Sequence, residues 1–328
     1  MASTLPLFAR YPELAPHLPW LPLADLPTPV ARLPGLASGW VKRDDITHPV
    51  YGGNKVRKLE FVMAEMRAKG VKRAYTFGAT GTNAGVAAAL MCRDAGVRLT
   101  IFTFEQPDSA TVRRNQALMQ QFGATLVPRG TLWQAVLSFY LHPARLRPEA
   151  YFLFAGCSNP VGVFGYVNAG LELGEQVAAG LLPEPRAIYV PVGSNGTLAG
   201  LTVGLQLAGL RSRLVGVRVA ASHLGPIATC TTAAVQAMVD TNTAFLRRHV
   251  PSLRGLRATA PELNGDYFGE GYGVPTPAGQ AAVARFRDAF GIALEATYSG
   301  KAAAAFLAAE QSEAGDLLFW NTFNSRQA

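Results

Sequence analysis

The run Ala187-Ile-Tyr-Val-Pro-Val-Gly-Ser-Asn-Gly-Thr197 carries six strand-forming residues straight into a glycine-rich turn, and an apolar helical stretch, Thr197–Ala208, follows it. A short apolar run bounded by a turn reads as a strand buried on both faces. Such a turn at the strand's carboxyl end aims backbone N–H groups, and the positive end of the next helix, at an anion. It is not a nucleotide-hydrolase phosphate loop, because the Gly-Lys-Ser/Thr ending is missing. Gly193, Ser194, Asn195, Gly196 and Thr197 are therefore candidate anion ligands.

The same strand–turn–helix order repeats on either side. Strand patterns over Arg73–Phe77, Arg98–Phe104, Thr125–Val127 and Leu214–Val219 alternate with helical patterns over Arg57–Lys69, Ala84–Ala95, Ala110–Phe122 and Gly162–Ala179. This order predicts an α/β chain with largely parallel sheet and helices on both faces. Chemistry in such sheets gathers at the carboxyl ends of the strands. A second turn, Gly78-Ala-Thr-Gly-Thr-Asn-Ala-Gly85, lies there too, with hydroxyls and N–H groups suited to a carboxylate. Pro143–Pro148 and Leu181–Pro185 read as connectors, and Thr241–Tyr272 as irregular chain with short helices.

Composition narrows the field. With 328 residues, 49% hydrophobic and 16% charged, the chain has enough apolar material for two folded domains and too little charge for a disordered one. No apolar run approaches the ~20 residues of a membrane helix. Prolines at 6, 12, 16 and 19 interrupt the first twenty residues, which reads as no secretory leader. Cys92, Cys157 and Cys230 stand far apart, as reduced thiols of a cytoplasmic protein do, and no metal-ligand spacing appears. The net charge of +8 is dispersed in pairs such as Lys72-Arg73 and Arg247-Arg248, which reads as a basic surface open to anionic ligands and excludes a nucleic-acid motif.

Only six of the basic residues are lysines: Lys42, Lys55, Lys58, Lys69, Lys72 and Lys301. Lys55 stands in Tyr51-Gly-Gly-Asn-Lys-Val-Arg-Lys-Leu-Glu60, after two glycines that let the backbone approach a ligand. Asn54 is placed to cap the next helix, and Lys55 would project from its first turn. Lys58, Lys69 and Lys72 fall on that helix's polar face or just past it, where solvation is expected. On local pattern alone, Lys55 fits a reactive amine and a surface charge equally well.

The stretch Val41-Lys-Arg-Asp-Asp-Ile-Thr47 followed by Gly52-Gly-Asn-Lys-Val-Arg-Lys-Leu-Glu60 closely resembles the 1-aminocyclopropane-1-carboxylate deaminase and D-cysteine desulfhydrase family. Gly156-Cys-Ser-Asn-Pro-Val-Gly-Val-Phe-Gly-Tyr-Val167 is similar to a second block of that family, and matching blocks run from about Val41 to Lys301. The resemblance implies pyridoxal 5'-phosphate as cofactor, fold type II architecture and a homodimer. It implies that Lys55 condenses with the cofactor aldehyde and then moves a proton at the substrate's Cα. The turn at 193–197 would hold the phosphate, and Asn83 would donate to the phenolate oxygen. Tyr272 and Tyr298 match tyrosines that face the substrate. Residues 1–57 and 173–328 would form a large cofactor domain, 58–172 a small one carrying Asn83, with the cofactor in the cleft between them.

The departures from the family bear on the reaction. Thr82 stands for a usual serine and Ala84 for a usual histidine, while Phe323 and Asn324 replace two glycines after Thr322. Ser299 stands where the cyclopropane-opening deaminases carry an acid beside the pyridine nitrogen. A carboxylate there would keep the ring protonated, whereas Ser299 or Thr322 would leave it neutral and favour prompt loss of a β-substituent. The expectation is a lyase or deaminase that removes a Cα proton from a small amino acid and eliminates across α,β, releasing ammonia and a keto acid. Ring opening, or cofactor binding without catalysis as Ala84 and Phe323 would allow, are the alternatives. A nucleotide-dependent oxidoreductase is the outside reading. Thr80–Gly85 and Tyr51–Lys55 nearly fit a short-chain dehydrogenase, but in the wrong order and with Ala87 for the final glycine.

Overall fold

The computed structural model describes residues 4–326; residues 1–3, where the segment read as leaderless begins, and 327–328, which end the expected large domain, lie outside the described residues. Two sheets organise the chain. The six-stranded sheet runs in the order Val30–Arg32, Gly39–Lys42, Leu317–Trp320, Ala187–Val192, Arg213–Arg218, Leu263–Asn264. Only its first pairing is antiparallel; the rest are parallel. The four-stranded sheet, Thr125–Pro128, Arg98–Phe104, Arg73–Ala79, Ala150–Phe152, is parallel throughout.

Strand alternation distributes the core. Ile188, Val190 and Val192 enter one apolar cluster, while Ala187 and Tyr189 enter the cluster on the opposite face. In the smaller sheet, Ala74, Leu99 and Ile101 face one side and Tyr75, Phe77 and Phe102 the other. Both sheets are thus covered on both faces, as parallel sheet requires. The expected helices form over Asn54–Ala68, Asn83–Asp94, Ala110–Gln121, Pro160–Ala178 and Gly196–Ala208. Among the described residues no helix is long and apolar enough to cross a membrane.

Two expectations need correction. The stretch from 241, expected to be irregular, begins inside an 18-residue helix, Thr232–His249. Thr231 caps it by accepting from the Ala234 amide, and Val235, Val239 and Leu246 bury one stripe at helical spacing. Asn54 is not a cap: Gly53 holds that position, and Asn54 Nδ2 instead donates to Thr197 Oγ1 at 3.1 Å. The side chain gives up a local bond to its own helix and ties two site segments together.

Beneath the helix Asn54–Ala68 lies a buried knot of charge. Arg57 donates to both Asp44 oxygens and both Glu172 oxygens at 2.8–3.0 Å, and Lys42 Nζ donates to Glu172 at 2.6 Å. Tyr166 and the Trp320 indole also donate to Asp44. Two cations and two carboxylates balance inside the core. Burial alone pushes the Glu172 carboxyl up, but Arg57 and Lys42 overcome it and hold the group at about 2. Its unfolded value is 4.5, so this stabilisation is complete above that pH and is lost as pH falls towards 2. Removing one member of such a knot costs about 3–5 kcal/mol. Glu172→Gln should lower neutral-pH stability by that order and flatten the loss of stability between pH 5 and 3 in urea unfolding. An unchanged acid slope would refute the assignment.

Candidate active site

The segment leaving the strand Gly39–Lys42 turns back through Gly52 and Gly53 before the helix begins at Asn54. Both glycines are required. A Cβ on Gly52 would lie 2.3 Å from the Asp45 carbonyl oxygen, and Gly53, at φ +95°, would drive one to 2.9 Å from the Thr322 oxygen. Lys55 therefore leaves the first turn of a helix pinned between two neighbouring backbones. Its amine has no hydrogen-bond partner among the described residues, and burial pushes it down to about 8. An amine so tuned is partly neutral near neutral pH, which a nucleophile needs.

Asn83, Thr197 and Thr322 touch this turn, and the other predicted residues stand beside them or in a neighbouring cleft. Tyr51 Oη donates to Asn83 Oδ1 at 3.1 Å, joining the turn to the start of the helix Asn83–Asp94. Thr82 caps that helix, its hydroxyl accepting from the Gly85 amide. The Gly193–Thr197 turn follows the strand Ala187–Val192, with Asn195 at φ +64° and its Nδ2 on the Thr229 carbonyl at 2.7 Å. Gly193 lies against the Tyr298 ring, where an added Cβ would stand 3.1 Å from the nearest ring carbon. Tyr298 and Tyr272 share a short hydroxyl–hydroxyl bond. Burial raises both phenols, Tyr272 to about 12, so both are held protonated. Asn83, Tyr272 and Tyr298 line one cleft with Gly81, Gln106 and Glu295. Thr322 meets the turn through its carbonyl, which accepts from the Asn54 amide at 3.2 Å.

Ser299 is fully buried at the start of the helix Ser299–Ser312, and its Oγ accepts from the Glu295 amide at 2.9 Å. The Glu295 carboxylate in turn accepts from the amides of Thr297, Tyr298 and Ser299, each at 2.8 Å. Glu295 carries no cap signal in the sequence, because it lies outside the N-cap position and the first turn, and only the folded loop shows its role. Asn324, which stands for a glycine of the resembled family, braces the turn: its Oδ1 accepts from the Gly52 amide at 2.8 Å.

Lys58 is the main correction. Expected in solvent, it is fully buried, its Nζ donating to Ser158 Oγ at 3.0 Å and the Gly156 carbonyl at 3.3 Å. Ser158 Oγ lies 2.9 Å from Ser194 Oγ. Among the described residues no carboxylate pairs with Lys58, and burial, then the charge of Lys55, pushes its amine well down. A buried lysine without a carboxylate partner, beside a glycine turn and a helix start, is a surrounding that suits an anion.

The chain is similar to known proteins along most of its length. The model of the family described as pyridoxal-phosphate dependent enzyme matches residues 21–322. The chain belongs to that family. It is 33% identical to nocardicin C-9' epimerase of Nocardia uniformis subsp. tsuyamanensis, over 95% of this chain and 94% of the epimerase. It is 31% identical to D-cysteine desulfhydrase of Salmonella choleraesuis, over 89% of this chain and 88% of that enzyme. A crystal structure of an ACC deaminase homologue superposes with TM-score 0.81 at 25% identity, covering 98% of this chain and 95% of the other. The expected deaminase/desulfhydrase kinship and the fold type II architecture both hold.

This pyridoxal-phosphate enzyme has residues that fit the cofactor. A Cβ on Gly196 would lie 2.6 Å from Ser158 Oγ and 3.2 Å from Lys58 Nζ, so the glycine keeps open a space faced by hydroxyl and ammonium donors. That space suits a phosphate dianion. Two outcomes are expected. The rate at which cofactor-free protein takes up pyridoxal phosphate should climb ~tenfold per pH unit and level off above about 8, followed by stopped-flow absorbance; a pH-independent rate would remove Lys55 from the role. Lys58→Met should weaken cofactor affinity about 10–100-fold without lowering the melting temperature of the cofactor-free protein. Unchanged affinity would exclude Lys58 from phosphate binding.

Proposed function

We propose that this chain removes the Cα proton of a small amino acid and eliminates a β-substituent, releasing ammonia and a keto acid. The observation that carries the reading is the paired site: a partly buried amine lowered to about 8 by desolvation on one helix, and two protonated, hydrogen-bonded phenols in the cleft with Asn83. Bound pyridoxal phosphate would supply the electron sink that makes the Cα proton acidic. Lys55 would hold the cofactor and accept that proton. Gly193, Ser194, Asn195, Gly196 and Thr197, together with Lys58, would hold the phosphate, and Asn83 would donate to the ring oxygen. Thr82 and the start of its helix would orient the substrate carboxylate. Tyr298, supported by Tyr272, would donate a proton to the departing group, since a phenol held protonated by burial is an acid rather than a base.

Ser299 or Thr322 would meet the ring nitrogen. Neither is a carboxylate, and the Glu295 carboxylate is taken up by three backbone amides. A ring left neutral delocalises charge less, which favours prompt expulsion of a β-leaving group over ring opening. The reading takes residues 58–172 as the unit facing the large domain across the cleft. Kinship with an epimerase supports a second outcome from the same deprotonation, return of the proton to the opposite face of Cα.

Incubating the enzyme with D- and L-amino acids that carry a β-leaving group, in deuterium oxide, separates the two. Keto acid and ammonia in equal amounts are expected. Deuterium at Cα with inverted configuration and no keto acid would replace elimination by epimerisation, and neither product would defeat both. Tyr298→Phe should lower kcat by about 10²–10⁴ with cofactor still bound.

A further inference from the structure

We propose that Asn115 and Tyr51 are positioning residues that lock the Asn83 side chain with its Nδ2 edge towards the cleft; the inference rests on the reading of Asn83 as a cofactor contact. A primary amide has a donor edge and an acceptor edge related by a half-turn, and only the donor edge suits a phenolate-type oxygen. Something must choose between them.

The choice can be traced bond by bond. Asn115, on the helix Ala110–Gln121, is fully buried. Its Nδ2 donates to the Gly81 carbonyl at 2.8 Å. A carbonyl only accepts, so the opposite orientation of Asn115 would set oxygen against oxygen. The same Nδ2 donates its second hydrogen to Asn83 Oδ1, also at 2.8 Å. Tyr51 Oη adds a second donor to that oxygen at 3.1 Å. The Asn83 acceptor edge is thus held from two sides, and its donor edge is left to the cleft that Tyr272 and Tyr298 share.

The other end of Asn115 bears on the same point. Its Oδ1 is buried with no hydrogen-bond partner among the described residues, an arrangement that costs stability. The residue is poorly matched to its surroundings as a core side chain and well matched as a two-armed donor. A donor fixed in advance needs no reorientation when the cofactor arrives, which is where fixed dipoles gain over free ones.

The test uses Asn115→Leu, with Tyr51→Phe as the milder variant should the first not fold. The readouts are cofactor affinity and the pH at which the bound cofactor's absorption band titrates. Either variant should weaken affinity, Asn115→Leu by about tenfold, and move the band's titration to higher pH, because a ring oxygen that loses its donor becomes more basic. Adding Asn115→Leu to Asn83→Leu should move the band no further, since the effect passes through Asn83. A lower melting temperature with an unmoved titration would overturn the proposal by reducing Asn115 to a structural role. Failure of the underlying reading shows separately, as no borohydride-trapped adduct on Lys55 of the unsubstituted protein. In that case side-chain amide exchange in cofactor-free protein decides: protected Asn115 Nδ2 hydrogens support the lock, and exchange at the solvent rate refutes it.

Discussion

Arg57 is the side chain on which the site's geometry rests. Its guanidinium is fully buried and bridges Asp44, which follows the strand Gly39–Lys42, to Glu172, on the helix Pro160–Ala178. A planar fork with five donors suits two carboxylates at once in a way that an ammonium does not. Lys55 sits two residues earlier on the same helix, so the knot that fixes Arg57 also fixes where the Lys55 amine emerges. Buried ion pairs add little net stability compared with apolar packing, but they define one arrangement sharply. A site that must hold an amine within fractions of an ångström has use for that property.

The chain treats its buried lysines in opposite ways. Lys42 is surrounded by Glu172, Gln176 and the Thr28 carbonyl, which together take its hydrogens. Lys58, one helical turn from Lys55, receives only a hydroxyl and a carbonyl. One buried amine is thus paired with a carboxylate and the other is not. Burial and the charge of Lys55 disfavour a proton on that amine, and an anion bound beside it would favour one, so anion binding and protonation of Lys58 would be linked.

Much of this architecture was legible in the sequence because parallel strands are short apolar runs and their carboxyl-end turns are glycine-rich. Arg98–Phe104 and Ala187–Val192 fall where the pattern puts them. What escaped was set by neighbours remote in sequence. Lys58 looks solvated on a helical wheel, yet helix Pro160–Ala178 and the turns at 156–158 and 194–196 cover it. Asn54 looks like a cap until Thr197, 143 residues away, offers a better partner. Asn324 looks like an obstacle where the resembled family has glycine, yet its amide oxygen meets an otherwise unserved Gly52 N–H. In each case a polar group followed the partner that tertiary structure supplied.

Glu295 shows how the same rule bears on reactivity. Its carboxylate lies close enough to act on Lys55, Tyr272 and Tyr298, so the cleft does contain an acid. That acid is committed to three amides at the start of the helix Ser299–Ser312, where a negative charge is best placed against the helix dipole. The Ser299 hydroxyl is committed as well, accepting from the Glu295 amide and lying 3.2 Å from its carbonyl oxygen. The loop thus spends its carboxylate on its own backbone amides. Were the ring nitrogen to meet this loop, as proposed, the chemistry open to the cofactor would be set by an arrangement that also begins a helix.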